Sequence, residues 1–324
     1  MEDKNRFRAF LIVAVIAVMF FGAGFLNAHA QVGFPTKPIT IVIPFPAGGS
    51  TDIVMRGVAT YVSKHLNTSI IVQNVVGAEG SIGYAKAYTA KPDGYTLLAT
   101  NTLPQILTEF SREARYKSLD FKPVFAVARD SMILVAKPEG VKTFDEFIKT
   151  ARHQTTTIGT TGRATTTGLM GILFVEETGI KVNWIPFHGG AESLSALAGR
   201  HIDAVLSISA SAMPMVKAGK IIPLAVFSEK RSPKFPDVPV PRELGLDIPF
   251  LYNYSGVVAP PGTPDELVKV LENAFDKAVT DKEYLEWFKK TATAELLPLH
   301  AREYRKEFER LYSLTEKYKK YLKE

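Results

Sequence analysis

An apolar, β-branched run, Ile39, Thr40, Ile41, Val42 and Ile43, passes through Pro44, Phe45, Pro46, Ala47, Gly48 and Gly49 straight into a segment carrying Val54, Val58, Val62 and Leu66 on one face. The first pattern is that of a strand buried on both sides, and the second has the period of an amphipathic helix. A strand that feeds a helix through a glycine turn commits the chain to β/α alternation, and hence to a parallel sheet covered by helices. The order continues: the spacing predicts strand 39–45, helix 52–66, strand 69–75, helix 81–90 and strand 95–100. An apolar stretch at 121–137 suits a crossing to a second unit. That unit has strand 156–159, helix 165–178, strand 182–187, helix 191–198 and strands 204–207 and 222–227. The proline-rich run 232–241 reads as a surface connection, because proline has no N–H to give a central strand. Strand 252–259 stops at Pro260 and Pro261, Thr263, Pro264 and Asp265 open a helix, and Tyr304, Phe308, Leu311, Thr315, Tyr318 and Leu322 stripe the last one. The expected architecture is α/β: two Rossmann-like lobes, 31–124 with 252–324 and 125–251, with a ligand cleft between them.

Four turns join strands to helices: 46–50, then 74–83 with Gly77, Gly80 and Gly83, then 159–167, then 187–192. All fall at the C-terminal ends of strands, the side on which open α/β sheets bind ligands. The first N–H groups of a helix are unpaired and partly positive, and glycine lets a ligand approach them closely. Facing pairs of such turns would clamp a small anion. Ala47, Gly48, Gly49 and Ser50 offer amides in the first turn, and Gly80, Ser81, Ile82 and Gly83 in the second, with Ser81 as the expected N-cap. Thr160, Thr161 and Thr165 bring hydroxyls whose other use is capping. Arg163 can take a carboxylate bidentately or point to solvent, and His188 beside Gly189 can donate or simply lie on the surface. Asn101 closes the third strand toward the cleft. Asp52 would repel an anion in its own helix mouth, so it reads first as a cap or brace and second as a partner for a ligand amine. Tyr95 and Trp184 read as core aromatics.

The chemistry-bearing patterns of enzymes are missing. A nucleotide-dependent enzyme on a Rossmann-like lobe is the alternative, but the first turn is Pro-Ala-Gly-Gly rather than G-x-G-x-x-G, and the second strand ends at Gln73 and Asn74 without an acid. The sequence has no Walker loop, no serine elbow, no His-Glu-x-x-His and no cysteine. No catalytic residue, cofactor or metal is expected. The net charge of +6 owes much to Lys317, Lys319, Lys320 and Lys323, a solvated cluster that complements a helix C-terminus, so nucleic acid is not an expected partner. Lys4, Arg6 and Arg8 precede an apolar run at 9–26 and the small residues Ala28 and Ala30, the pattern of a cleavable signal peptide over 1–30, with a retained anchor as the competing reading.

The motifs taken in order resemble the TctC or Bug family, the periplasmic solute receptors of tripartite tricarboxylate transporters. Its carriers here are Pro35, Lys37, Pro38 and Ile39 with Pro44, Phe45, Ala47, Gly48, Gly49 and Asp52; Asn74, Gly77, Gly80, Ile82 and Gly83; and Pro92, Asp93, Gly94, Tyr95, Thr96 and Leu97. Gly189 and Gly190, Leu197 with Asp203, and Ala259, Pro260, Gly262, Thr263 and Pro264 continue the match. The resemblance implies a fold like the type II periplasmic binding proteins and a monomer in the periplasm. It implies loops at 46–52 and 77–83 that grip a small organic di- or tricarboxylate by amides, hydroxyls and waters, Asp203 as a further site residue, and delivery to membrane transporter subunits. Presentation to a membrane sensor is the other use of such a receptor. Glu79, Ala164 with Gly168, and Phe187 with His188 depart from the usual family pattern, all near the expected cleft.

Overall fold

The computed structural model describes residues 33–111, 113–292 and 294–322, so the leader expected at 1–30 lies outside the described residues. From Lys37 onward the chain builds two mixed sheets with helices on their faces. The first begins with β1 (Ile39–Ile43), α1 (Ser50–Leu66), β2 (Ile70–Asn74), α2 (Ser81–Tyr88), β3 (Thr96–Asn101), α3 (Thr102–Ser111) and β4 (Lys122–Asp130). The second holds β5 (Met132–Ala136), α4 (Phe144–His153), β6 (Thr156–Thr160), α5 (Thr166–Thr178), β7 (Val182–Pro186), α6 (Gly190–Ala198), β8 (Ala204–Ile208), α7 (Ser209–Lys217) and β9 (Ile222–Phe227). The chain then returns to the first sheet with β10 (Asn253–Ala259), α8 (Asp265–Thr280), α9 (Lys282–Thr291), β11 (Glu295–His300) and α10 (Ala301–Tyr318). The strand orders are β11-β4-β10-β3-β1-β2 and β7-β6-β8-β5-β9.

Each sheet has a parallel half, β2-β1-β3 and β7-β6-β8, as the alternation predicts. The expectation of fully parallel sheets fails where the chain changes sheet. The stretch 121–137 is two strands broken at Ser131, and β4 stays in the first sheet through Asp130, past the boundary expected at 124. The returning β10 enters beside that exit, with Asn253 opposite Asp130, and so must run antiparallel to both β3 and β4. β5 is likewise antiparallel to β8 and β9.

An inner strand of the second sheet, β5, shows how a buried strand serves two cores. Met132, Leu134 and Ala136 face the cluster that holds Phe144, Phe147, Leu169 and Phe174, while Ile133 and Val135 face Leu194, Leu197 and Ala212. This is the period-2 alternation of a strand with helices on both faces. The run 232–241 forms no strand, as expected, but it is not merely surface: Phe235 and Val238 are buried in the second of these clusters. Tyr304, Phe308, Leu311, Thr315 and Tyr318 are all buried on the last helix. Helices α3, α4, α7 and α9 and strand β11 lie in stretches to which no element was assigned from the sequence. α4 has clear local signals, with Thr143 accepting from Glu146 N at 3.2 Å and Phe144, Phe147, Ile148 and Ala151 forming one buried face.

Candidate functional site

Because β1, β2 and β3 run parallel, their C-terminal ends put the turn after Ile43, the turn after Asn74 and the start of α3 on one edge of the first sheet. The first turn is exposed from Pro46 to Ser50, with Gly48 at φ 81, a left-handed conformation that favours glycine. Gly49 is the N-cap of α1 and has no side chain to satisfy the helix. Asp52, 3% exposed, accepts from Gly48 N at 3.0 Å, from Arg56 Nε at 3.0 Å and from Asn74 Nδ2 at 2.9 Å. Asn74 also donates to Phe45 O at 2.9 Å and accepts from Arg56 Nη2 at 2.7 Å, so one polar ring ties the first turn to the end of β2. Burial alone would raise the Asp52 carboxyl, but the hydrogen bonds from Arg56, Gly48 and Asn74 outweigh it and hold the group below its ordinary value. Asp52 is thus a brace, the first of its two sequence readings. The amides of Gly49, Ser50 and Thr51 have no acceptor among the described residues and remain open at the helix mouth.

The second turn is unusual in its backbone. Gly77, Ala78, Glu79 and Gly80 all have positive φ, at 139, 47, 55 and 92. For Ala78 and Glu79 the left-handed region costs about 1 kcal/mol or more each, and the packed surroundings hold them there. Gly80, not Ser81, is the N-cap of α2, because the helix begins at Ser81 itself, one residue earlier than a serine cap would need. Gly83 lets this turn sit against the first: a Cβ there would stand 2.8 Å from both Pro44 Cβ and Val75 O. Val76 and Ile82 are about half exposed, giving the turn an apolar lip. Beneath it, the buried Tyr84 hydroxyl and Gln105 Nε2 have no partner among the described residues.

In the second sheet, β6 ends in a hydroxyl cluster. Thr165 caps α5, accepting from Gly168 N at 3.1 Å and donating to Gly162 O at 2.6 Å, and Thr161 N donates to Thr167 Oγ1 at 3.0 Å. Thr160 is buried at the strand end and Arg163 is exposed on the turn. Phe187 N donates to Thr160 O at 2.8 Å, which sets the fourth turn beside the third. There Gly189 is the N-cap of α6, and His188 N donates to Glu192 Oε2 at 3.0 Å. This repeats the Gly48–Asp52 contact, an acid three residues after a glycine cap reaching back to the preceding amide. Glu192 was not among the expected site residues, although its spacing from Gly189 matches that of Asp52 from Gly49. Thr166 Oγ1 donates to Asn253 Oδ1 at 3.0 Å, and Ser255 Oγ donates to Asn101 Oδ1 at 3.2 Å. The third turn and Asn101 therefore flank the same end of β10.

Asp203 does not join the others and is corrected here. It precedes β8, where its carboxylate accepts from Lys137 Nζ at 2.8 Å and from Thr157 N at 2.9 Å and Thr157 Oγ1 at 2.7 Å. Thr157 lies at the start of β6, and Thr160 at its end leads to the turn, so Asp203 braces the opposite edge of the sheet. Its carboxyl is held below the ordinary value, since hydrogen bonds from Lys137 and Thr157 outweigh burial. Tyr95 is half-buried, with Lys37 Nζ 4.3 Å from its ring centroid, and Trp184 is half-buried, packed against the core cluster and also lining a cavity.

Together the turns offer open helix amides, short hydroxyls and one guanidinium, with two carboxylates behind the helix mouths. This arrangement suits holding an anion without transforming it. Known proteins agree with that character. The family model for the tripartite tricarboxylate transporter family receptor, TctC, matches residues 54–306. A UPF0065 protein of Cupriavidus necator is 36% identical over 274 residues, 82% of each chain. The crystal structure of a TctC solute binding protein from Polaromonas superposes with a TM-score of 0.76 at 30% identity, covering 88% of this chain and 99% of that one. A protein of R. palustris solved with adipate gives a TM-score of 0.74 at 26% identity, over 89% of this chain and 98% of its own. With both its strand order and most of its length accounted for in this way, the chain belongs to the TctC family of solute receptors.

Proposed function

We propose that this receptor holds a small organic carboxylate between a lobe built on the first sheet, whose strands come from 39–130 and 253–300, and a lobe built on the second, whose strands come from 132–227. The observation that carries the reading is the open amides of Gly49, Ser50 and Thr51 at an exposed helix mouth on the C-terminal edge of a parallel sheet half. The adipate held by the R. palustris relative supports the carboxylate class. In this reading Ala47, Gly48, Gly49 and Ser50, with Gly80, Ser81, Ile82 and Gly83, line one wall. Asn101, Thr160, Thr161, Arg163, Thr165, His188 and Gly189 line the other. Asp52 tunes the first wall by limiting how strongly it holds an anion. Neutral amides rather than buried cations leave no unpaired charge in the cleft when it empties, which favours release. The mature protein works as a periplasmic monomer and passes its ligand to the membrane subunits of a tripartite tricarboxylate transporter.

A thermal-shift screen of residues 31–324 against mono-, di- and tricarboxylates tests the reading. A ligand at a hundredfold its Kd adds about 2.7 kcal/mol to the bound form, well within what the assay reads. A shift confined to carboxylates is the expected result. No shift with any of them, also after partial unfolding and refolding to remove a retained ligand, would refute it.

A further inference from the structure

Beside the third turn lies a cavity of about 140 Å³ lined by Thr160, Arg163, Gly168, Ile172, Trp184 and Tyr321. Two of its walls are aromatic. Trp184, on β7, lies close against α5: a Cβ on Gly171 would come within 2.6 Å of its Cη2, so the glycine is what admits the ring. Tyr321 comes from the short turn Lys319–Tyr321 after α10 and is 40% exposed, a large apolar surface left in water at the cavity. The polar end is equally defined. Thr160 is 5% exposed, and its hydroxyl accepts from Gly162 N at 3.4 Å, which leaves its own hydrogen to donate. Arg163 has no ion-pair partner among the described residues.

We propose that this cavity binds a monocyclic aromatic carboxylate, with the ring among Ile172, Trp184 and Tyr321 and the carboxylate on Arg163 and Thr160. Size selects the ring: an apolar cavity of about 150 Å³ admits benzene. Charge selects the acid, since one guanidinium matches one carboxylate bidentately. The aromatic faces favour an aromatic over a saturated ring of equal size. The site shares Thr160 and Arg163 with the solute wall proposed above, and Ile172, Trp184 and Tyr321, which that wall does not use, are what set it apart.

Benzoate is the probe. The chain has two tryptophans, and Trp287→Phe leaves Trp184 as the sole reporter. Titrating benzoate into this form of residues 31–324 is expected to change its emission saturably, with cyclohexanecarboxylate binding more weakly. Arg163→Gln and Tyr321→Ala should each weaken the apparent Kd at least fivefold, while Gly49→Val leaves it unchanged, which separates this site from the solute reading. The absence of a saturable change, or an unaltered Kd in Arg163→Gln, overturns the proposal. Trp287 packs on Gly57, where a Cβ would lie 1.9 Å from its ring, so calorimetry of benzoate with the unsubstituted chain and with Tyr321→Ala provides a second decision. Heat lost in Tyr321→Ala supports the site, and equal heat in both refutes it.

Discussion

Replacing Asp52 by Asn keeps the shape of the side chain and removes half of its acceptors, which makes it a sharp test of the brace between the first two turns. The carboxylate accepts from Gly48 N, Asn74 Nδ2 and Arg56 Nε, whereas an amide has one oxygen and would turn an NH2 toward donors on its other side. A hydrogen bond to a charged group contributes about 1.5–3 kcal/mol, and a donor left unpaired costs a similar amount. The Arg56 side chain is 46% exposed, so its share shrinks to about 0.5 kcal/mol through solvent screening. The expected net loss is about 2–3 kcal/mol, or roughly 4–10 °C in Tm for a chain of this size. Urea unfolding of residues 31–324 at pH 7 would measure it. Because the folded carboxyl lies below its ordinary value of 3.8, the contribution is full above that pH and is lost as pH falls through the folded value. The gap between the two proteins should therefore close in acid. A loss under about 0.5 kcal/mol at pH 7, or a gap independent of pH, would refute the reasoning. In the protein that remains folded, carboxylate affinity should not fall, since a negative charge has left the helix mouth.

Gly49→Val should abolish carboxylate binding while the protein stays folded: Gly49 has φ −72, and a Cβ meets only Pro46 O at 3.5 Å, so the new side chain covers the open amides without strain. Retained affinity in a titration would remove the first turn from the site. Tyr84→Phe should raise stability by about 1 kcal/mol in chemical unfolding, because it deletes a buried hydroxyl that has no partner among the described residues; a clear loss would point to a bound water on that oxygen. Asp130 is pushed up to about 6 by burial, with Lys234 opposing and Glu295 adding to the rise. A raised carboxyl makes the folded state less stable above that value than below it, so Asp130→Asn should stabilise the protein at pH 8 and do little near pH 4; equal effects at both would contradict the burial argument.

The alternation of strands and helices was legible because the elements up to β3 are strongly periodic and most of the turns between them carry glycine or proline. α3 was not, because it starts at Thr102 directly after Asn101 with no turn between them and carries Pro104 in its first turn. Strand direction in β10 was not legible either, since it depends on where the chain re-enters beside Asp130 rather than on any local pattern. Among the turns, glycine marked the places correctly, but the backbone of the second turn was hidden: Ala78 and Glu79 are not residues that announce positive φ. Asp203 was drawn toward the turns by its place in a sequence motif, while the register of β6 and β8 carries it to the opposite edge. Glu192 was missed, although the spacing from its glycine cap repeats that of Asp52.

The position of β10 between β3 and β4 has a consequence for the order in which the molecule assembles. Every strand of the second sheet comes from one continuous stretch, β5 to β9, so its sheet can form once Phe227 has been made and its core can close once Val238 has followed. The first sheet, although it starts earlier in the chain, lacks its inner strand until Ala259 and its edge strand until His300. Its early strands must wait with their edges unpaired, the state in which chains are most open to wrong partners. Pulse-labelled hydrogen exchange should find the amides of β5 and β8 protected before those of β3, and the reverse order would mean that the first half can hold itself together without its centre. The middle of the chain becomes the template, and the two ends close around it.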